Sequence, residues 1–236
     1  MKIIEEDGTH QITNMFSVII RVKNEERWIG HAIQSVIDFV KDNEVIIVDN
    51  GSTDKSLQIA QSFNRNEGLN DIDSNYTSIR TIQIDEYTPG RALNAGAELA
   101  NYENIIFLSS HCIITRFDQQ EVLSKLNSYP AIFGKQIPVY QGKKITPRYI
   151  WSHFKDEEEV DMYSEQESRY FFHNAFSIVQ KSLLSNIPFD DNLVSKEDRY
   201  WARDIIEKGG EHTLYDPSIE CIHHYTSDGN TWKGVG

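Results

Sequence analysis

The sequence predicts an α/β fold, a single domain on a doubly wound, mostly parallel sheet flanked by helices. Three observations lead there. Short, nearly unbroken runs of apolar and β-branched residues mark strands that are covered on both faces. Stretches with helical spacing alternate with those runs, as crossover connections between parallel strands require. A chain of 236 residues, 39% of them hydrophobic, is long enough to bury a large core.

Each element follows from its residues. Phe16-Ser17-Val18-Ile19-Ile20-Arg21-Val22 reads as the first strand, and residues 44–49 and 104–109 repeat its character. Between the first two, Trp28, Ile29, Ala32, Ile33, Val36 and Ile37 fall on one helical face. Glu25 and Glu26 are expected in that helix's first turn, where acidic groups suit the dipole. Leu57, Ile59, Ala60 and Phe63 predict a second helix after a Ser52-Thr53 cap. Residues 64–78 read as a polar surface loop and 79–84 as a weaker, alternating strand. Pro89 starts a third helix that runs to residue 100.

The second half is less regular. Residues 131–139 and 173–179 read as strands, 140–147 and 155–168 as loops. The latter carries the acidic run Asp156-Glu157-Glu158-Glu159, expected to be a solvated or mobile segment. A helix over 196–208 stops at Gly209-Gly210, and two short strands, 211–215 and 218–225, follow it. Residues 226–236 are polar and contain Gly, the composition of a flexible tail or a closing flap.

Composition excludes several functions. With 23 Lys+Arg against 36 Asp+Glu the formal charge is −13, the wrong sign for sequence-independent nucleic-acid binding. No apolar run is long enough to form a transmembrane segment. Met1 to Asp7 turns acidic where a signal peptide needs an apolar stretch, and Cys112 and Cys221 are too few for a disulfide framework. A cytoplasmic protein is the expectation.

Ligands of an open parallel sheet bind beyond the carboxyl ends of its strands. The polar residues there are Arg21-Val22-Lys23-Asn24-Glu25, Asp49-Asn50-Gly51-Ser52-Thr53-Asp54, Pro89-Gly90-Arg91 and Ser109-Ser110-His111. Singly, each has a plain structural reading: Asp49 and Asn50 as a turn, Ser52 or Thr53 as a cap. Together, on one sheet edge, they suit a nucleotide-sized site. No G-x-G-x-x-G opens the first helix and no G-x-x-x-x-G-K-[ST] is present, so neither a dinucleotide fingerprint nor a P-loop holds the phosphates.

The run from Phe16 to Glu25, followed by Ile46-Ile47-Val48-Asp49-Asn50-Gly51-Ser52-Thr53-Asp54, resembles the opening of the family 2 glycosyltransferases. The likeness continues through Gly90-Arg91-Ala92-Leu93-Asn94-Ala95-Gly96 and Ile105-Ile106-Phe107-Leu108, and returns at Glu197-Asp198 and His223. It implies a GT-A fold and inverting transfer of a sugar from a nucleotide-sugar donor to a hydroxyl of a glycan or glycolipid acceptor. Surface polysaccharide or glycolipid synthesis follows as the setting, with peripheral contact at the inner face of a membrane. The donor half would span about residues 16–111 and the acceptor half about 112–225. Asp49 would meet the base or ribose, with the backbone around Arg21 and Val22 flanking the base and Arg91 reaching the phosphates or the base. Glu25, Ser110 and His111 complete the implied donor-binding set. Asp198, with Glu197 beside it, would take the proton from the acceptor hydroxyl. The physical alternative is that both acids only satisfy a helix N-terminus, at about 0.3–1 kcal/mol each.

One departure matters. The family's fourth strand usually ends in Asp-x-Asp, which holds a divalent cation; here Ser109-Ser110-His111 stands in that place. The oxygen-rich site that magnesium prefers is weakened. His111 with His223 or His224 could take a manganese-like ion, His223 being preferred because its neighbour points to the other strand face. Alternatively His111, Arg91 and a tail cation such as Lys233 neutralise the diphosphate without metal, or the donor site has lost its function. A sugar nucleotidyltransferase and a non-catalytic nucleotide- or sugar-binding protein are the rival readings. Transfer requires Asp49, Arg91, His111 and Asp198 to converge on one cavity.

Overall fold

A computed structural model describes residues 15–64, 78–144 and 149–227. Its first half follows the local pattern. β1 (Phe16–Val22), β2 (Asn43–Asp49), β3 (Ser78–Gln83) and β4 (Asn104–Ser109) pair in parallel in the order β3-β2-β1-β4. Because side chains alternate, one face of these strands presents Val18, Ile20, Val45 and Ile47 to α1 (Ile29–Phe39) and α2 (Ser56–Ser62). The other presents Ile19, Ile46 and Val48 to α3 (Pro89–Leu99). Helices on both faces make the sheet doubly wound. α3 lies so close that a Cβ on Gly96 would come within 2.6 Å of Ile19 Cγ2. Only glycine allows that approach.

Local polar contacts revise two helix starts. α1 begins at Ile29, so Glu25 and Glu26 precede it; the Glu25 carbonyl instead accepts from the Trp28 and Ile29 N–H groups. Nor do Ser52 and Thr53 cap α2. Ser52 Oγ accepts from Asn24 N–H at 3.0 Å and Thr53 N–H donates to Asn24 Oδ1 at 2.7 Å, tying the two strand-end loops together. Asp54 serves the helix start, accepting from the Ser56 N–H and hydroxyl.

The second half continues the same sheet but mixes strand directions. It contains β5 (Cys112–Arg116), α4 (Gln119–Leu126), β6 (Ala131–Tyr140), β7 (Lys143–Lys144), β8 (Glu159–Val160), β9 (Tyr163–Ser164) and β10 (Arg169–Tyr170). β11 (Phe176–Gln180), α5 (Lys181–Asn186), α6 (Glu197–Glu207) and β12 (Thr213–His224) complete it. Beyond β4 the order runs β11-β6-β12-β5, with β11 antiparallel to both neighbours and β12 parallel to β6. The two strands expected over 211–225 are one strand, β12, irregular between Asp216 and Glu220. Pro217 lies in that gap, where its missing N–H leaves the ladder broken.

The acidic run is not simply solvated. Glu158 joins Glu121 and Asp216 around Lys125 Nζ at 2.6–2.7 Å, Asp156 pairs with Lys135, and β8 adds to β12. The expected strand over 173–179 starts late, at Phe176, leaving His173-Asn174-Ala175 as its lead-in. Most of the predicted loop over 64–78 and most of the tail, Lys233 included, lie outside the described residues.

Candidate active site

The carboxyl ends of β1 and β4, the lead-in to β11, the start of α6 and the end of β12 surround one cleft of about 540 Å³. It brings together Arg21, Val22 and Glu25 with Ser110 and His111. Glu197, Asp198 and His223 complete the set.

Of the four residues whose convergence the sequence predicts, His111 and Asp198 line the cleft and Asp49 and Arg91 stand outside it, so that expectation fails for half of the set. Asp49 is 1% exposed, and its carboxylate accepts from the Gly51 and Ser52 N–H groups at 3.1 Å. The turn reading of Asp49 describes it, with Gly51 supplying the positive φ of 67° that the turn needs. Arg91 lies at the N-terminus of α3 with its guanidinium on Glu86 at 2.8 Å and near Asp191 at 3.9 Å, away from the cleft. Helix spacing placed Arg91 near the rim but could not say which way its side chain turns.

The acidic wall is assembled at long range. Lys196, in a left-handed conformation with φ 61°, turns the chain into α6 so that Glu197 and Asp198 enter the cleft wall. Asp198 Oδ1 accepts from the Arg199 N–H at 2.9 Å; Oδ2 accepts from Arg199 Nη1 at 2.8 Å and Asn174 N–H at 3.2 Å. Burial pushes this carboxyl up, but the Arg199 guanidinium and the hydrogen bonds outweigh it and hold it below the usual carboxylate range. Glu197 is shifted the other way. Burial and the Asp198 charge raise it, offset in part by Arg21, whose Nη1 lies 3.3 Å from Glu197 Oε1. The two neighbouring acids are thus driven apart, Asp198 toward the ionised form and Glu197 toward the neutral one.

The histidine wall lies opposite. His111 Nε2 and His223 Nε2 approach to 3.1 Å. Behind them, His111 Nδ1 meets Glu25 Oε1 at 3.1 Å and His223 Nδ1 meets Gln136 Oε1 at 2.8 Å. Each Nδ1 faces an oxygen acceptor, so each carries its proton there and turns the other nitrogen to its partner. With both rings neutral, two lone pairs face one another, an arrangement that favours a shared proton or cation between them. The carboxylate–histidine and amide–histidine contacts are those that orient metal ligands. The donor set fits a divalent transition-metal ion better than magnesium. Burial, with the nearby histidines, puts His223 well below its ordinary range and keeps it neutral. His224 points the other way and stacks on Trp28, ring centroids 3.9 Å apart. Trp151 and Trp201 belong to the core, Trp151 edge-on to His223.

Gln136 and Arg199 escaped the reading of the sequence. A glutamine among mostly apolar residues of the predicted strand over 131–139, and an arginine directly after two acids, were the available signals.

Comparison with known proteins bears on the family and the fold. The glycosyl transferase family 2 model matches residues 17–187. The minor teichoic acid biosynthesis protein GgaA of Bacillus subtilis (strain 168) is 25% identical over 206 residues, 82% of this chain and 44% of that protein. The chain therefore spans less than half of that relative's length. Among solved structures, S. aureus TarS 1-349 in complex with UDP-GlcNAc superposes with a TM-score of 0.64 at 20% identity, over 94% of this chain and 64% of that one. The mannosyltransferase PcManGT of Pyrobaculum calidifontis, in complex with GDP-Man and Mn2+, gives 0.63 at 15% identity, over 92% and 59%. These two share the fold. The family match takes in well over half of the chain, and the protein belongs to glycosyl transferase family 2.

Proposed function

We propose that this chain transfers a sugar with inversion from a nucleotide-sugar donor, UDP-linked by analogy with the UDP-GlcNAc complex of TarS, to a hydroxyl of a cell-surface polymer or glycolipid. One observation carries the reading: a helix-borne carboxylate and a cation-competent histidine pair face the same cleft beyond the strand ends.

Asp198 is the base. Three hydrogen bonds fix its orientation, and a carboxylate accepts about four, so one position remains for the acceptor hydroxyl. As the acceptor oxygen bonds to the anomeric carbon, its proton passes to Asp198. The bond from that carbon to the diphosphate oxygen breaks, and the electron pair leaves with the diphosphate. A carboxyl held low is a weak base, which suits a transfer in which bond breaking runs ahead of proton removal. Arg21 holds Glu197 and, through its contact with the Pro89 carbonyl at 3.4 Å, links β1 to α3. The nucleotide would lie over Val22 to Glu25 and Asn50, with Asp49 shaping that wall through its turn.

His111 and His223, backed by Glu25 and Gln136, would hold a manganese-like ion. Such an ion, when bound, supplies positive charge for the leaving diphosphate. The metal-free clamp has less support: Arg91 turns away, leaving His111 as its only member among the described residues of the cleft. No helix among the described residues is long and apolar enough to cross a membrane.

Release of nucleoside diphosphate from a panel of sugar nucleotides, with Mn2+, with Mg2+ and in EDTA, tests this. Turnover with Mn2+ that EDTA abolishes is expected. Full turnover in EDTA would remove the cation from the mechanism, and no turnover with any donor and acceptor would favour a binding protein.

A further inference from the structure

Gln136, on β6 and outside the cleft lining, touches two of the cleft's histidines at once. Its Nε2 lies 3.0 Å from His173 Nδ1, and its Oε1 lies 2.8 Å from His223 Nδ1. The Ala175 N–H points at the same His173 Nδ1 from 3.3 Å. A backbone N–H can only donate, so that nitrogen accepts and the ring proton of His173 sits on Nε2. The Gln136 amide must then turn its NH2 toward His173 and its carbonyl toward His223. His223 consequently carries its proton on Nδ1. Burial foremost, then the Arg199 charge, lowers His173 to about 3, so its ring stays neutral.

His173 is 5% exposed and lines the cleft, and no acceptor among the described residues meets its Nε2. The ring lies near both working groups. Its centroid is 6.3 Å from that of His223, and the next residue, Asn174, donates its N–H to Asp198. A sugar in transfer bridges the diphosphate at the cation end and the acceptor at the base end, within reach of a ring that lines the same cleft.

We propose that Gln136 is a positioning residue that sets His173 and His223 in opposite tautomers, one offering an N–H to an oxygen of the transferred sugar, the other a lone pair to the cation. The inference rests on the cation-assisted transfer proposed above.

Long-range 1H–15N spectra of the metal-free protein, with 15N-histidine, read both tautomers without any variant. The proton is expected on Nε2 of His173 and on Nδ1 of His223; the same tautomer in both rings would overturn the proposal. In Gln136→Leu, Mn2+ affinity measured by titration calorimetry should fall roughly 10–100-fold. In His173→Phe, UDP-GlcNAc should bind roughly five- to tenfold more weakly while UDP binds as before. Unchanged Mn2+ affinity in the first variant, or unchanged UDP-GlcNAc affinity in the second, counts against it. A wild type that binds neither Mn2+ nor UDP-GlcNAc would overturn the transfer reading and the ligand half of this proposal together, while the spectra still decide the tautomers on their own.

Discussion

The two walls of the cleft are held by different kinds of contact. At the ends of β1 and β2 the polar residues satisfy one another within two facing loops: Asn24 with Ser52 and Thr53, Asp49 with its own turn, Asp54 with Ser56 and the Glu26 N–H. Opposite, the bonds join residues far apart in the chain: Arg21 to Glu197, Asp198 to Asn174, His111 to His223, and His223 to Gln136. The first wall uses its polar groups to hold backbone in place. The second leaves charged and titratable groups facing the cleft, held by partners that only the finished fold supplies. Shape comes from one side and chemistry from the other.

That division is easiest to break at Asp198. Asp198→Asn keeps the size of the side chain but removes the proton acceptor, so transfer should fall roughly a hundred- to ten-thousand-fold. Calorimetric UDP binding should be retained. A transfer rate near that of the wild type would take the chemistry away from this wall.

Acid should weaken the chemical wall first. His173 titrates at about 3 when folded and at an ordinary histidine value when unfolded. Below about pH 6.5 the unfolded chain therefore binds a proton that the folded one refuses. Stability is full above that pH and is lost as pH falls toward 3, by about 2 kcal/mol between pH 6.5 and 5. Glu197, raised when folded, acts in the opposite sense nearer its own range. His223, also lowered when folded, acts in the same sense as His173. Urea midpoints of the metal-free protein at the two pH values measure the sum, and His173→Phe should reduce it without abolishing it.

Asp49→Ala tests the shaping wall. It strips the acceptor from two N–H groups, and a loss of about 1–3 kcal/mol in urea unfolding is expected. Donor binding should weaken with it, because Asn50 in the same turn lines the cleft. Loss of donor binding at undiminished stability would instead mean that the carboxylate itself meets the nucleotide. The smallest effect belongs to Arg91→Ala. Its half-exposed pairs at the rim are worth little, so stability should change by less than about 0.5 kcal/mol and donor affinity should hold. A large drop in affinity would bring Arg91 back into the site.

Local pattern and long-range pairing divide the molecule in the same way. The strands β1, β2 and β4 and the helices α1 and α3 were legible because apolar period and burial coincide within each segment. β5, α4 and α5 were not. They are short, and the strand partner of β5 lies far along the chain, as when Cys112 pairs with His223. At the site, His111, His223 and Asp198 could be named from their resemblance to a family. That Asp49 and Arg91 would turn elsewhere, and that Gln136 would join two histidines, could not.

By itself, then, the order of residues determined a doubly wound sheet, the edge at which its polar strand ends gather, and a short set of groups able to do the work. Which of those groups meet was decided by packing alone. A side chain's direction depends on the strand or helix that covers it, and a proton's place on a buried ring depends on a neighbour contributed from elsewhere in the chain.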